Sequence, residues 1–303
     1  MKTALIAGPT SYLGLRLVER LMSSGVDTHA LVRPTSDLTR LSAIIGTVRT
    51  HVYDGALTSL ADAVSSANPE VVLHIAGAYA REHDNNDIDQ LIDSNIRLGT
   101  HLLEAMSDAG VRRIVNAGST FQHFHNDGYR PLNLYAATKQ AFADVLAYYE
   151  DARGIMSVTI KLPDVYGPND WRPKLMNRLV EAHLAGQPMD LVEKSTQLSL
   201  IYVDDARDAF IHCARTLMDD AQTVSGQSFA VDEGLHYTLE EVVAVFTRIT
   251  DRTVLANWGA YPIPDRSITI PWKGTPLPDW RAKVTLEDGV KRLVGAATRL
   301  EGT

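Results

Sequence analysis

The sequence predicts an α/β fold: a doubly wound parallel sheet with a smaller, discontinuous C-terminal substrate-binding region beside it. Three observations carry this reading. Short β-branched runs alternate with longer helical patterns through the first half of the chain. A glycine turn, Gly8-Pro-Thr-Ser-Tyr-Leu-Gly14, joins the first run to the first helical pattern. After Gly167 the texture changes: Pro168, Pro173 and Pro188 interrupt the chain, and the stretch from Tyr261 to Trp280 is dense in Pro and Trp. Strand–helix alternation of this kind requires a parallel sheet covered on both faces, since each crossover helix packs back on the sheet.

In order, residues 3–7 read as the first strand and 12–24 as a helix with Leu13, Leu17, Val18 and Leu21 on one face. Residues 28–32 form the second strand, 48–52 a short third and 70–75 a fourth. A long helix covers 88–109, preceded by an acidic stretch whose carboxylates suit a helix start. The fifth strand spans 113–117, a helix follows at 134–151, and the sixth strand lies at 157–162. Residues 203–217 are helical again and return to the sheet. The sheet domain is therefore 1–167 plus about 201–226, and the second region about 168–200 plus 227–303.

Bulk properties exclude several function classes. The 303 residues carry 29 Lys and Arg against 37 Asp and Glu, a formal net charge of −8. No basic face is available to supply nucleic-acid affinity, so nucleic acid is not an expected partner. No apolar run has the length of a membrane span, and the start is too short and too soon in a turn for a signal peptide. A cytoplasmic protein is expected, with no membrane partner. The lone Cys213, in a helical stretch, reads as a small buried apolar residue.

The glycine turn sits where a dinucleotide fold needs close backbone approach to a pyrophosphate. Gly8 makes the tight turn and Gly14 lets helix and strand pack closely, while Thr10, Ser11, Tyr12 and Leu13 bring the helix N-terminus to the phosphates. Ser11 stands where a third glycine is usual. The second strand ends Leu31-Val32-Arg33-Pro34-Thr35-Ser36 without an acidic residue. An acid there grips the ribose 2′-hydroxyl of NAD, whereas an Arg accommodates the 2′-phosphate of NADP. Arg33 and Ser36 therefore point to NADPH, although Arg33 also fits a solvated surface charge. Asp54, at the end of the third strand, is placed to meet the adenine amino group.

Tyr135-Ala-Ala-Thr-Lys139 puts a phenol and an ammonium on one side of a helix, a turn apart. A free phenol keeps its proton to about pH 10. A neighbouring ammonium favours the phenolate, so the pair reads as a proton donor and its tuner. An amphipathic helix with a half-buried Tyr and a surface Lys is the plainer reading of the same five residues. Ser119, where the fifth strand runs out, could bond a carbonyl while Tyr135 exchanges its proton, with Thr120 as a substitute hydroxyl.

Together these residues resemble the extended short-chain dehydrogenase/reductase family, of the sugar-nucleotide epimerase/dehydratase type. The resemblance also rests on His74-Ile-Ala-Gly77, Asn95, Asp164-Val-Tyr-Gly-Pro168 and Ile201-Tyr-Val-Asp-Asp205, and covers nearly the whole chain. A narrower likeness, to nucleotide-sugar 4-ketoreductases of the CDP-abequose and CDP-paratose synthase group, rests on residues 133–142, on Tyr166-Gly-Pro-Asn-Asp170 with Arg172-Pro-Lys174, and on Pro271-Trp272. It implies a Rossmann-type domain holding NADPH and a cap holding a TDP- or CDP-linked 4-keto-6-deoxyhexose. The C4 ketone would be reduced, with Tyr135 protonating the oxygen, Ser119 polarising it and Lys139 also holding the nicotinamide ribose. Ala76, Gly77, Leu162 and Val165 would complete the cofactor contacts. Tyr79, Phe121, Gln122, Asp164, Arg172, Lys174, Leu175, Gln197 and Arg266 would meet the sugar nucleotide. A homodimer through 88–109 and 134–151 is expected on the same ground.

The departures sharpen this. Dehydratases of the family carry an Asp-Glu pair just after the catalytic hydroxyl, but Thr120-Phe121 stand here, so dehydration is not expected. The usual diphosphate-gripping Arg is replaced by Leu198 beside Gln197, and the usual Asn before Val-Tyr-Gly is Asp164. Arg172, Lys174 and Arg266 are the cations left to grip a diphosphate. His123 and His125, even with His74, lack the Cys or carboxylate company of a metal site, and no metal is expected. An epimerase retaining NAD(P) and a non-catalytic dinucleotide-sensing module remain alternatives.

Overall fold

In the computed structural model, residues 1–41, 48–126, 128–232, 234–262 and 266–301 are described. Seven parallel strands build the central sheet. The chain enters with β1 (Thr3–Ala7), α1 (Tyr12–Ser23), β2 (Asp27–Val32), β3 (Arg49–Val52), α2 (Leu57–Ala67) and β4 (Val71–His74). A bent helical stretch follows, made of α3 (Asp87–Ile92), a π-helical turn at Asp93–Arg97 and α4 (Leu98–Asp108). Then come β5 (Arg113–Ser119), α5 (Leu134–Arg153), β6 (Met156–Leu162), β7 (Asp164–Tyr166), α6 (Leu175–Ala185), β8 (Met189–Leu191), β9 (Gln197–Leu198) and β10 (Leu200–Tyr202). The chain closes with α7 (Val203–Asp219), β11 (Gln227–Ala230), β12 (Tyr237–Thr238), α8 (Leu239–Thr250), β13 (Ala256–Trp258) and α9 (Leu286–Glu301).

The sheet order is β11-β6-β5-β4-β1-β2-β3. The order reverses beside β1, and that is where an open α/β sheet leaves a crevice at its carboxyl edge. Leu17, Val18 and Leu21 of α1 pack with Ala206, Ala209 and Phe210 of α7 on one face. On the other face Leu60 and Val64 of α2, Leu102 and Leu103 of α4, and Phe142 and Leu146 of α5 form a second core. The doubly wound α/β fold is thus present as expected. The first core continues into the smaller region through Leu179, Leu191, Phe246, Leu286 and Val290, so the two regions share one apolar interior.

Two sheet-domain elements were not read in advance. Helix α2 buries Leu60, Ala63, Val64 and Ala67, an i, i+3, i+4, i+7 stripe that the sequence reading passed over. Strand β11 is four residues long at the sheet edge, paired with β6 from Gln227↔Val158 to Ala230↔Lys161. It carries the sheet body to Ala230, beyond the boundary read at 226. Asp205, the last residue of the Ile-Tyr-Val-Asp-Asp motif, is buried in α7 and accepts the Val284 N–H at 2.9 Å. That bond fastens the C-terminal segment to the sheet domain.

Burial holds several imidazoles in their neutral form. His74 is fully buried, bonded through Nδ1 to Asn116 Oδ1 at 3.1 Å, and its pKa is pushed down to about 3 by burial and by the Lys139 ammonium. His29 and His51 share a 2.8 Å ring-nitrogen bond, and burial depresses both. A His whose folded pKa lies below its unfolded value contributes stability that is full above about pH 6.5 and declines as pH falls through it. For His74 alone the loss approaches about 1.4 kcal/mol per pH unit below that value. Urea unfolding at about pH 7.5 and about pH 5 should therefore show lower stability at the acid value. The difference should shrink in His74→Gln; equal stability at both pH values would contradict this account.

Candidate active site

A cavity of about 450 Å³ opens at the carboxyl edge of the sheet, lined from Gly8 to Leu13, by Arg33 and Ser36, and by Ser119, Tyr135 and Lys139. That size suits a buried small-molecule ligand. Gly8 adopts φ +95°, and a Cβ there would come within 2.7 Å of the Ala76 backbone nitrogen. A Cβ on Gly14 would sit 2.2 Å from the Gly8 carbonyl oxygen, so helix and turn pack as closely as backbone permits. Gly14 therefore acts behind the cavity wall rather than in it. Ser11 is the N-cap of α1: its hydroxyl accepts from Gly14 N–H at 3.1 Å and donates to Gly8 O at 2.8 Å. A third glycine would lose that cap, which explains the serine. Thr10 to Leu13 bring the positive end of the α1 dipole to the cavity.

Helix α5 positions the reacting side chains. Asn133 caps it by accepting Ala136 N–H at 3.0 Å, and Gly154 ends it at φ +65°. Its buried stripe runs Ala136, Lys139, Phe142, Leu146, Tyr149, so Lys139 emerges on the inner face. The Lys139 ammonium donates to Ala76 O at 3.2 Å. A Cβ on Gly77 would lie 3.0 Å from that ammonium and 2.9 Å from Asn95 Oδ1, so a larger residue would push both side chains aside. Asn95, in the π-helical turn, accepts from Ala78 N–H at 2.8 Å and donates to Thr138 Oγ1 at 2.8 Å, fixing this corner.

Burial lowers the Lys139 pKa to about 8, assisted by the nearby Lys161 ammonium. The Tyr135 phenol is pushed up to about 12 by burial, is pulled down by a hydrogen bond with Ser119, and is pushed up further by Tyr79 and Asp164. The tuning expected from Lys139 is thus corrected: Ser119 is the group that favours the phenolate, because the lysine ammonium is turned to the Ala76 carbonyl. Ser119 ends β5 in register with Leu162 of β6, and its hydroxyl also accepts Phe121 N–H at 3.2 Å.

Of the remaining predicted cofactor residues, Arg33, Ser36, Ala76, Gly77, Leu162 and Val165 line the cavity. Ser36 Oγ accepts Arg33 N–H at 2.9 Å, closing the turn after β2. Asp54 does not line it: its exposed carboxylate accepts from Ala56 N–H at 2.9 Å and Ser59 Oγ at 2.7 Å, bonds that begin α2 and hold the carboxyl below its usual range. Tyr53 takes the place in the wall.

Tyr79, Phe121, Asp164, Arg172 and Lys174 line the other end. Lys174 Nζ bonds Asp164 Oδ1 at 2.9 Å, and Arg172 is held by both carboxylate oxygens of Asp170 at 2.7 Å. Gln122 lies behind the site, because the short turn after Ser119 folds its side chain back. Its carbonyl accepts Ser119 N–H at 3.0 Å and its amide donates to Gln140 at 2.8 Å. Thr120 is buried outside the lining. Arg266 caps the loop below, donating to Leu132 O at 2.7 Å and Pro131 O at 2.6 Å with its guanidinium 4.6 Å from the Phe124 ring centroid. Leu175 opens α6 against the core, and Gln197 is exposed on β9, paired with β12; neither reaches the cavity.

His74 faces Phe142 inside the fold, His123 stacks on Trp272 and His125 leans on Phe124. Among the described residues no group of three or more His, Cys, Asp or Glu could hold a metal. Several wall residues escaped the sequence reading, Arg40 and Trp171 among them. The Arg40 guanidinium lies 4.1 Å from the Trp171 ring centroid, and Trp171 meets Tyr12 edge-on at 5.8 Å. Only the recurrence of Arg seven residues after Arg33 hinted at the first; the second depends on how the segment after Pro168 crosses α1.

A family model described as the NAD dependent epimerase/dehydratase family matches residues 4–225. A CDP-abequose synthase of Salmonella muenchen is 24% identical over 297 residues, 97% of each chain. A UDP-glucose 4-epimerase of Mycolicibacterium smegmatis is 25% identical over 259 residues, covering 78% of this chain and 79% of the relative. The crystal structure of a Thermus thermophilus UDP-glucose 4-epimerase in complex with NAD superposes with TM-score 0.79 at 22% identity over 98% of each chain. The residues present fit such a dinucleotide: the cradle of Gly8 and Gly14 leaves no room for a Cβ, and the N-terminus of α1 faces the cavity.

Proposed function

The chain belongs to the NAD dependent epimerase/dehydratase family, and from that premise we propose that it is an NADPH-dependent reductase acting on the C4 ketone of a TDP- or CDP-linked 4-keto-6-deoxyhexose. The observation that carries the reading is the distribution of charge along the cavity. Ser119, Tyr135 and Lys139 converge at its centre, and Arg33 and Arg40 line the adenosine end. Among the described residues the one acidic side chain in the lining is Asp164, already paired with Lys174. Among the described residues no carboxylate in the lining follows Ser119 to remove a proton for elimination, and Asp37, four residues after Arg33, stands outside the lining, held by Arg40 at 2.9 Å.

When bound, the dinucleotide supplies the hydride that the ketone carbon receives. Ser119 Oγ and Tyr135 Oη converge on the ketone oxygen and polarise it, and the Tyr135 proton passes to that oxygen as charge develops. Buried Lys139 holds the nicotinamide ribose. Arg33 and Ser36 grip the 2′-phosphate; Arg172 and Lys174 face the substrate diphosphate. The functional unit is a homodimer through residues 88–109 and 134–151, where Ile92 and Tyr148 are exposed.

The test is loss of NADPH absorbance on adding a CDP- or TDP-linked 4-keto-6-deoxyhexose. Turnover with a preference over NADH is expected; no turnover, or a marked preference for NADH, sinks the reading. A retained-cofactor 4-epimerase is the second reading, supported by the likeness to UDP-glucose 4-epimerases in sequence and in fold. Protein that purifies with tightly held NAD and interconverts nucleotide sugars without reductant would establish it instead.

A further inference from the structure

Asp164 and Lys174 line the same cavity as Tyr135 and are linked to its ring through Tyr79. Strand β6 ends at Leu162, the register partner of Ser119, and Pro163 turns the chain so that Asp164 begins β7 two residues on. Asp164 therefore enters the cavity next to the reacting hydroxyls. Its carboxylate is bonded to Lys174 at 2.9 Å, and the same ammonium lies 4.9 Å from the Tyr79 ring centroid. Tyr79 in turn meets Tyr135 edge-on, with ring centroids 5.0 Å apart. A carboxylate, an ammonium and two phenols are thus packed in series on one wall.

We propose that Asp164 and Lys174 are an opposed pair of positioning charges that set how firmly Tyr135 holds its proton, Asp164 keeping the phenol neutral and Lys174 limiting that effect. The proposal rests on the reading of Tyr135 as the proton donor. A reductase needs the neutral phenol before chemistry, whereas oxidation of an alcohol needs the phenolate. A negative charge beside a phenol disfavours its ionisation, and a positive charge partnering the negative one offsets this.

The charged and titratable groups facing this corner are few. From β5 comes Ser119, which favours the phenolate through its hydrogen bond, and from the segment after β4 comes Tyr79. From β7 comes Asp164, which opposes ionisation of both phenols. Lys174, before α6, acts on Asp164 and Tyr79 and is itself opposed by Arg172. Arg81 acts on Tyr79, and Lys139 lies on the same helix as Tyr135 with its ammonium on Ala76. Among the described residues Asp164 is the carboxylate in the cavity lining with Tyr135, and Lys174 is its partner.

The test reads the phenol itself. In protein carrying tyrosine labelled with carbon-13 at the ζ carbon, the Tyr135 signal is assigned by its loss in Tyr135→Phe and followed with pH. Asp164→Asn should lower the pH of ionisation by about one unit, and Lys174→Met should raise it. The double variant should return it toward the parent, and Lys174→Arg should leave it in place. Shifts of both single variants in the same direction, or no shift in either, overturn the proposal, since loss of structure alone cannot give opposite signs. The titration needs no substrate. Failure to reduce any ketosugar would therefore count against the proposed reaction and leave this result standing.

Discussion

Replacing Tyr135 with Phe is expected to lower turnover by about 10²–10⁴-fold while leaving dinucleotide affinity unchanged, the range that removal of a placed general acid produces. The phenyl ring keeps the edge-on contact with Tyr79 at 5.0 Å and its place in the lining. What disappears is the O–H, and with it the hydrogen bond to Ser119. Stopped-flow rates with saturating cofactor, together with cofactor Kd by calorimetry, separate the two effects. A parallel loss of binding would mean that the ring was displaced; retained turnover would remove Tyr135 from the mechanism while leaving the fold untouched.

That prediction also states what the sequence could and could not disclose. The spacing of Tyr135 and Lys139 was readable because a helix repeats every turn, and Ser119 because a strand must end where its β-branched run does. Gly8 and Gly14 were readable because glycine is demanded by backbone approach alone, and the 2.2 Å that would separate a Gly14 Cβ from the Gly8 carbonyl oxygen shows how strict the demand is. What the lysine does to the phenol was not readable. It depends on Ala76, sixty-three residues away in the chain, which takes the lysine's proton donor.

The same limit separates the sites that assembled from those that did not. Arg172 and Lys174 reach the cavity because the segment after Pro168 is tied across α1 by Tyr12 and Arg16, both donating to the Pro168 carbonyl. Arg266 was an equally plausible cation on composition, but the Pro- and Trp-dense tail packs it over Phe124 instead. Gln122 and Asp54 were drawn into local bonds with Ser119 N–H and Ala56 N–H. Polar residues near a turn often satisfy the turn first, and no pattern of apolar residues reveals that competition.

Changing Arg33 to Asp is expected to reduce kcat/KM with NADPH by about 10²-fold or more, because a charge-assisted bond worth about 2–3 kcal/mol is replaced by repulsion. NADH should be affected little or should improve, since an acid at the end of the second strand can accept from a ribose 2′-hydroxyl. The geometry allows the exchange without disturbing the fold. Arg33 is exposed, its guanidinium touches the protein through Ser94 Oγ at a long 3.4 Å, and the turn it belongs to is held by backbone N–H to Ser36 Oγ. Arg40, in the same wall and paired with Asp37 at 2.9 Å, is the second cation at this end and sets the limit of the effect. Arg33→Asp with Arg40→Ala should therefore lose more NADPH affinity than either change alone, while NADH affinity stays near the parent value. Titration of the single and double variants with both cofactors decides the matter. Equal losses for NADPH and NADH would show Arg33 to be a wall residue without preference, and would shift the weight toward the retained-NAD epimerase.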